Sequence, residues 1–206
     1  MLRASFFTRV PLICARELVG AELVWGGCRG RVVETEAYAA VGDEACHTFK
    51  RRGAREFVER HSPGTAYVYL NYGVHWLLNV LVKGGGGARD GFVLIRAVQP
   101  THGWSLMRRR RAVERDLALC SGPGKLTAAF GINGSAQGLD LCATSTHGFA
   151  SASKAAPGLE VVADRRVGIT KAAEFPWRFL CRDSPFVSVR PSAFAQSASA
   201  NASAGS

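Results

Sequence analysis

Residues 66–82 have the sequence AYVYLNYGVHWLLNVLV, in which two apolar runs flank Asn71-Tyr72-Gly73. Both runs are rich in the aromatic and β-branched side chains that favour strands. Asn and Gly readily adopt the positive φ angles that a tight turn requires. The stretch therefore predicts a β-hairpin with Tyr72 at its tip.

Tyr72 and Asn79 are the two side chains of this hairpin that need an explanation. A large aromatic at a turn apex either packs under a neighbouring loop or projects, as the apolar wedge of a DNA-distorting protein does. Asn79 lies in an apolar run, where an unbonded amide costs about 1–3 kcal/mol, so it is either a structural bridge or a reader of a polar ligand. Strand alternation also places Tyr67 and Tyr69 on one face, so the hairpin offers aromatic planes and one amide.

The composition favours a single globular domain with a polyanionic partner. The chain has 206 residues, of which 47% are hydrophobic, enough for one sizeable core. Its 26 Lys and Arg residues against 16 Asp and Glu residues give a net charge of +10, which favours nucleic acid on electrostatic grounds. The sequence has no run of 18 apolar residues and no basic amphipathic helix, so a membrane partner is not expected.

The cysteines and the N-terminal residues indicate an intracellular protein. Six cysteines are scattered without a C-x-x-C pair or zinc-ligand spacing, so we expect mostly reduced core thiols and no metal site. Arg9 and Pro11 interrupt the apolar N-terminal stretch where a signal peptide needs a continuous run. The expected location is the cytoplasm or nucleoid of a bacterium, or the nucleus of a eukaryote.

The remaining patterns predict an α/β fold of the α+β type, with a curved, largely antiparallel sheet, flanking helices and a protruding hairpin. Short turns join successive strands, which favours antiparallel pairing over βαβ units. Strands are predicted at 22–25, 29–38, 91–98, 161–163 and 178–181, and helices at 12–18 and 104–119. Loops are predicted at 39–64, with one helical turn at 55–60, and at 138–158. Residues 1–192 form one predicted domain, and the Ala/Ser-rich residues 193–206 a disordered tail.

Two carboxylates near the end of the second predicted strand are candidates for chemistry. Glu36 and Tyr38, with a wedge nearby, are the parts needed to extrude a base, stack it and activate water against its glycosidic carbon. Glu34 raises the alternative of a two-carboxylate glycoside hydrolase. Residues two apart on a strand lie only about 6.5–7 Å apart and point the same way, which does not suit attack from opposite sides of a sugar. Glu34 is therefore expected to be structural, paired with a neighbour such as Arg31, and the buried Arg96 needs an acidic or water partner.

Residues 120–127 superficially resemble a phosphate-binding loop. Leu119 stands where that motif requires its first glycine, and Leu126 where it requires Ser or Thr, which excludes a nucleoside-triphosphate site. Lys125 still lies at a predicted helix N-terminus, a position that can bind a DNA phosphate. The arginine run 108–111 points around most of a helix, so some of it must be solvated or paired with Glu114.

A series of motifs resembles the alkyladenine (3-methyladenine, methylpurine) DNA glycosylase family. In chain order they are RVVETEAY at 31–38, DEACH at 43–47, PGTAYVYLNYG at 63–73, Asn79, LIRA at 94–97, LCSGPGKL at 119–126 and SPFVS at 184–188. The resemblance spans roughly residues 12–189. Several ordered motifs with compatible spacing are far more specific than any one of them.

The resemblance implies a role for individual residues of these motifs. Glu36 would activate the attacking water, and Arg96 would help to orient the water and the carboxylate. The pocket for a flipped purine would be lined by Tyr38, His47, Tyr69 and Asn79, with Asn79 obstructing the 2-amino group of guanine. Tyr72 would intercalate into the space left in the duplex. Weaker contacts with the DNA backbone are expected from Arg51, Lys125, Gly168, Thr170 and Lys171.

The resemblance also implies an enzyme that excises damaged purines from double-stranded DNA without a metal or organic cofactor. A monomer would suffice, and no obligate protein partner is expected. The two main motifs contain no lysine that could form a Schiff base, so a monofunctional enzyme is predicted. The alternative is a non-catalytic module that binds and bends DNA with Tyr72. Glu36 and Arg96 favour the enzyme, because a pure binder has no need of a carboxylate that is costly to bury.

The chain departs from the family pattern in places that leave the preferred lesion open. Residues 51–60, RRGAREFVER, replace a stretch that is usually rich in Thr, Pro and Arg. Cys46 stands before His47 where a smaller or hydroxyl residue is common, and four glycines lengthen the turn at 84–87. The candidate lesions are 3-methyladenine, 7-methylguanine, hypoxanthine and ethenoadenine.

Overall fold

The computed structural model describes residues 1–151 and 159–198, and two long strands, β2 (Cys28–Ala39) and β5 (Asp90–His102), lie at the centre of its sheet. The strands described are β1 (Glu22–Trp25), β2 (Cys28–Ala39), β3 (Ala66–Asn71), β4 (His75–Lys83), β5 (Asp90–His102), β6 (His147–Ala150), β7 (Val161–Asp164), β8 (Arg178–Cys181) and β9 (Gln196–Ser197). They pair in the order β3-β4-β5-β2-β8-β7-β9, and β1 pairs with both β2 and β6. The pairings are antiparallel, which confirms the predicted fold class.

The helices divide the apolar side chains of the sheet between two clusters. They are α1 (Pro11–Leu18), α2 (His47–Lys50), α3 (Arg52–Arg60), α4 (Trp104–Arg111) and α5 (Pro123–Phe130). The main core includes Leu18 of α1, Met107 of α4 and Phe130 of α5. A second cluster joins Phe57 of α3 to Tyr67 and other side chains of the sheet. Within the described ranges, no helix is long and apolar enough to cross a bilayer.

The prediction of a polar loop with a single helical turn at 39–64 was wrong, because this segment contains α2 and α3. Ala54, Phe57 and Val58 have the spacing of one helical face, and all three are buried. Arg and Glu residues occupy most of the remaining positions and masked this short apolar face. The helix matters for the site because its buried face packs against Tyr67 and Phe92.

The helix predicted at 104–119 is also shorter than expected. α4 ends at Arg111, and Ala112 adopts a left-handed conformation with φ of 50°. A short 3₁₀ turn follows at Asp116–Ala118, where Asp116 accepts a hydrogen bond of 2.6 Å from Arg108. This bond ties the chain back against α4. Of the two alternatives for the arginine run, Arg109 and Arg110 are exposed, and Arg108 pairs with Asp116 rather than with Glu114.

Two other predicted irregular segments contain strands. β6 lies within the loop predicted at 138–158 and pairs with β1. Gln196–Ser197, in the tail predicted to be disordered, pairs with β7. Neither strand could be predicted from its own sequence, because each forms only by pairing with a strand from a distant part of the chain. Residues 152–158 and 199–206, and the predictions made for them, lie outside the described residues.

Candidate active site

The predicted hairpin is formed by β3 and β4, and its tip projects from the protein. Tyr67 pairs with Asn79, and Tyr69 pairs with Leu77. Tyr72 and Gly73 have the positive φ angles of the turn. The expectation that Asn71 would supply one of them was wrong, because Asn71 is the last residue of β3 and pairs with His75. The Tyr72 side chain is 86% exposed, so no neighbouring loop within the described residues covers it. Of the two alternatives for this tyrosine, the structure has the projecting one.

Asn79 is held by the hairpin while it faces a cavity. It is 4% exposed, and its Nδ2 donates to the carbonyl oxygen of Tyr67 at 3.2 Å. The same side chain is among those that line the cavity described below. Asn79 therefore bridges the two strands of the hairpin and also lies where it can contact a ligand in the cavity.

Irregular pairing between β2 and β5 brings Glu34, Glu36 and Arg96 together. Glu34 pairs with Ala97, but Thr35 pairs with Ile95, so Arg96 is the extra residue of a β-bulge. Bulges locally redirect side chains relative to a regular strand. Arg96 consequently reaches both carboxylates, through a 3.0 Å contact of Nε with Glu34 and a 3.3 Å contact of Nη1 with Glu36.

Glu36 is fully buried and accepts hydrogen bonds from three donors. The Tyr38 hydroxyl donates to Oε2 at 2.8 Å, and Arg96 Nη1 donates to the same oxygen at 3.3 Å. The backbone N–H of Val167 donates to Oε1 at 2.7 Å. Glu36 is not itself among the residues that line the cavity, but these three donor residues are.

Glu34 is structural, but the prediction of Arg31 as its partner was wrong. Its Oε1 accepts from Arg96 Nε at 3.0 Å, from Arg178 Nε at 2.8 Å and from the Ser188 hydroxyl at 2.8 Å. Arg178 also contacts Asp164 at 3.4 Å. These partners come from β5, β8 and the segment after β8, so no short-range pattern in the sequence could have identified them. Glu34 fixes the position of Arg96 and is the acidic partner that the buried Arg96 was expected to need.

A cavity of about 330 Å³ lies beside this carboxylate network. Its walls combine aromatic rings, one amide, one guanidinium and small apolar groups. It is lined by Tyr38, Ala45, Cys46, His47, Tyr67, Tyr69, Asn71, Tyr72, Leu77, Asn79, Phe92, Leu94, Arg96, Pro123, Val167, Gly168 and Ile169. The structure thus brings Tyr38, His47, Tyr69, Asn79 and Arg96 together around one cavity with Tyr72 at its edge.

The aromatic walls stay uncharged at neutral pH. Burial, followed by the charge of Glu36, raises the pKa of Tyr38 well above its ordinary value. Burial also raises the pKa of Tyr69. Burial would lower the pKa of Arg96, but the charges of Glu36 and Glu34 outweigh it and raise that pKa. Arg96 is therefore cationic, and both phenols are protonated.

His47 is a neutral member of the same wall. Its Nδ1 lies 3.1 Å from the Tyr67 hydroxyl, and its ring centroid lies 4.2 Å from that of Tyr69. Burial and then the positive charge of Arg51 lower the pKa of His47 to about 4. An imidazole with this pKa carries no charge at pH 7, so it adds no repulsion against a cationic ligand.

We expect His47 to make the stability of the protein depend on pH between about 4 and 6.5. In this range the unfolded chain binds more protons than the folded chain, so the free energy of unfolding falls as the pH falls. Solvent screening at this half-buried site limits the loss between pH 7 and pH 5 to about 1–2 kcal/mol. Urea unfolding at both pH values checks this. His47→Gln should remove that part of the pH dependence, and an unchanged dependence would contradict the assignment.

The residues predicted to contact a DNA backbone are spread around the cavity rather than gathered in it. Gly168 lines the cavity, whereas Arg51, Lys125, Thr170 and Lys171 are exposed and do not. The Arg51 guanidinium lies 6.0 Å from the centroid of the Tyr69 ring. Lys125 is in the first turn of α5, as predicted, and Lys171 contacts Glu44 at 3.6 Å.

Sequence reasoning missed several residues that build the site. Tyr67 could have been found, because strand alternation already placed it beside Tyr69. Cys46, Phe92 and Leu94 carry only an apolar signal, which equally describes a core residue. The amide of Val167 carries no side-chain signal at all, because any residue except proline could provide it.

One cysteine, Cys46, lies in the wall of the cavity. The six cysteines are free, as expected, and burial raises the pKa of the Cys46 thiol. In the described part of the chain, no group of three or more His, Cys, Asp or Glu side chains is placed to hold a metal ion.

Comparisons with known proteins identify the family. The model of the methylpurine-DNA glycosylase (MPG) family matches residues 5–185. A protein of Rhodopseudomonas palustris strain BisB18 is 49% identical over 189 residues, which cover 91% of this chain and 90% of that protein. A protein of Chlorobium luteolum is 41% identical over 197 residues, with coverages of 93% and 98%. Both carry the name "Putative 3-methyladenine DNA glycosylase". This chain belongs to the methylpurine-DNA glycosylase family.

Proposed function

We propose that this protein is a DNA glycosylase that flips damaged purines out of double-stranded DNA and hydrolyses their N-glycosidic bond with a water activated by Glu36. The observation that carries the proposal is a buried carboxylate hydrogen-bonded to groups that line an aromatic cavity beside a projecting tyrosine. The family and the names of its relatives support the same reaction class.

The cavity suits a flipped purine better than a larger ligand. Its volume of about 330 Å³ is at the small end of the range for ligand pockets, roughly 300–1,000 Å³. Tyr38 and Tyr69 supply rings that can stack on a base, and Asn79 is held in place to contact its edge. An extruded base is read in this way, by stacking and by hydrogen bonds to its polar edge.

Activation of water requires that a group beside Glu36 moves. The carboxylate has about four acceptor positions and three donors use three of them, but the side chain is fully buried, so a water reaches it only when a neighbour shifts. The Arg96 contact is the longest of the three, at 3.3 Å. Glu34 retains Arg96 through Nε, so the guanidinium stays beside the water and helps to orient it. In the proposed reaction, the water attacks the anomeric carbon of the deoxyribose and gives a proton to Glu36, while the N-glycosidic bond breaks and the purine leaves with the bonding electron pair. Hydrogen bonds in free enzymes often rearrange in this way when substrate binds.

The surroundings of the cavity suit an alkylated purine. Such a base is cationic, and the Tyr69 ring and the face of the Tyr38 ring opposite Arg166 attract cations. His47 stays neutral, so it does not oppose the charge. A cationic base is a good leaving group, which makes a single carboxylate sufficient. The residues lining the described cavity include no lysine, which supports a monofunctional enzyme that leaves an intact abasic site.

Removing the ring at the hairpin tip should weaken binding to damaged DNA. Stacking of a base on an aromatic ring is worth about 1–3 kcal/mol, so Tyr72→Ala should lower affinity roughly 5- to 150-fold. Stability should change by less than about 0.5 kcal/mol, because the side chain is 86% exposed. Fluorescence anisotropy with a lesion duplex, in a Glu36→Gln background that prevents turnover, measures the effect. Tyr72→Phe should bind like the parent, and equal losses in both variants would contradict intercalation.

Base release by the wild-type protein tests the proposed function directly. The substrates are methylated DNA and duplexes that carry hypoxanthine or ethenoadenine. We expect free bases to appear, with strand breaks only after alkali treatment of the abasic sites. Strand cleavage without alkali would contradict the monofunctional reaction. If folded protein binds all of these duplexes and releases no base, a DNA-binding module on the same scaffold becomes the better account.

A further inference from the structure

We propose that Arg166 is a positioning residue for the reaction, holding in place two of the three groups that donate hydrogen bonds to Glu36. This inference rests on the proposed function of Glu36. Arg166 lies two residues after the end of β7. Its side chain is buried, 123 positions along the chain from its ion-pair partner Asp43.

The Arg166 side chain has one closely defined position. Nη1 and Nη2 donate to the two carboxylate oxygens of Asp43 at 2.6 and 2.9 Å, which forms a bidentate pair. Nη1 also donates to the carbonyl oxygen of Ala37 at 3.0 Å, and Nη2 to that of Ala172 at 3.0 Å. The guanidinium therefore joins β2, the loop before α2 and its own turn.

The first group that Arg166 positions is the phenol of Tyr38. The centre of the guanidinium lies 4.6 Å from the centroid of the Tyr38 ring and 5.1 Å from that of Trp177. A guanidinium on a ring face attracts the ring and excludes other packing partners from that face. The ring is fixed on the side of Arg166, and its hydroxyl donates to Glu36 at 2.8 Å.

The second group is the amide of Val167, the next residue in the chain. Its N–H donates to Glu36 Oε1 at 2.7 Å. Anchoring of the Arg166 side chain to Asp43 and Ala37 fixes the adjoining peptide unit against β2. Two donors from different segments, the Tyr38 hydroxyl and the Val167 amide, thus have a common support.

A purely structural ion pair would also be buried, so the test must separate support of Glu36 from general stability. Arg166→Lys keeps the charge but cannot form the bidentate pair. We expect this variant to lower the single-turnover rate of base release, at saturating protein, about 10- to 100-fold, because small displacements in an active site have effects of this size. Affinity for a lesion duplex, measured in the Glu36→Gln background, should change less than about threefold.

A double-mutant cycle with Tyr38→Phe gives the decisive readout. This substitution keeps the stacked ring but removes its hydroxyl, so one of the two supported hydrogen bonds is already absent. In this background, Arg166→Lys should lower the rate by a factor at least about threefold smaller than it does in the wild type. A general loss of stability would lower the rate by the same factor in both backgrounds, which would overturn the proposal.

Controls keep the result interpretable. Arg108→Met is the matched control, because Arg108 also forms an ion pair, at 2.6 Å with Asp116, and lies 5.9 Å from the Trp104 ring. It should keep the wild-type rate at saturating protein.

Circular dichroism identifies unfolded variants. If Arg166→Lys does not fold, Asp43→Asn replaces it, because this substitution weakens the clamp, the bidentate pair of Arg166 and Asp43, from the other side. A folded clamp variant with the wild-type rate would overturn the proposal. Absence of base release by the wild type would instead overturn the proposed function, and this inference with it.

Discussion

Glu36→Gln is expected to lower the single-turnover rate of base release about 10²–10⁴-fold, the range that general-base removal typically produces. Glutamine has nearly the same shape as glutamate, but its amide cannot accept the proton of the attacking water. Affinity for damaged duplexes should change only slightly, because Glu36 does not line the cavity. Release of free base from duplexes at saturating protein measures the rate.

The matched control for this variant is Glu22→Gln. Glu22 is also a strand glutamate with hydrogen bonds, from Thr101 at 3.1 Å and Arg29 at 3.3 Å, but it is not among the residues lining the cavity. Glu22→Gln should keep the wild-type rate. A Glu36→Gln protein that retains a tenth or more of that rate would remove Glu36 from the role of general base.

Glu34→Ala is expected to lower the free energy of unfolding by about 3–5 kcal/mol. The Glu34 side chain is fully buried between Arg96 and Arg178. Its removal leaves two buried guanidinium groups without one of their carboxylate partners, and the desolvation of these cations is then poorly compensated. Urea unfolding at pH 7, with base release measured in parallel, checks both the stability and the position of Arg96.

Glu17→Ala provides the comparison for Glu34→Ala. Glu17 contacts Arg9 at 2.7 Å, a distance as short as those in the buried network, but its side chain is 40% exposed. Removal of a surface pair should cost less than about 1 kcal/mol. If the two variants lose a similar amount of unfolding free energy, the buried network of Glu34 stabilises the fold no more than a surface ion pair does.

The hairpin could be predicted because its signals are local, whereas the residues around the cavity were predicted from the family resemblance. The glycine of the turn, Gly73, and the alternation of Tyr67 and Tyr69 depend on neighbours within a few positions. Glu36 was recognisable as a carboxylate in a strand that otherwise reads as buried. At such positions the local sequence pattern is enough to indicate the conformation of the backbone.

The supports of the site could not be predicted because they join distant segments. Glu34 is bound by Arg178, and Asp43 by Arg166, at separations of 144 and 123 positions. Nothing in the composition of either segment distinguishes these arginines from solvated ones. The bulge at Arg96 is equally a property of the pairing between two strands, so the direction of this side chain becomes known only when the sheet is formed.

The hydrogen bonding of Glu36 has a consequence for the proposed attack on the sugar. Its three donors come from β2, from β5 and from the segment after β7, and together they leave the carboxylate no freedom to turn. About one of its four acceptor positions is left for a water, which would then approach from a single direction. The geometry of attack would therefore be set by the fold before any base enters the cavity.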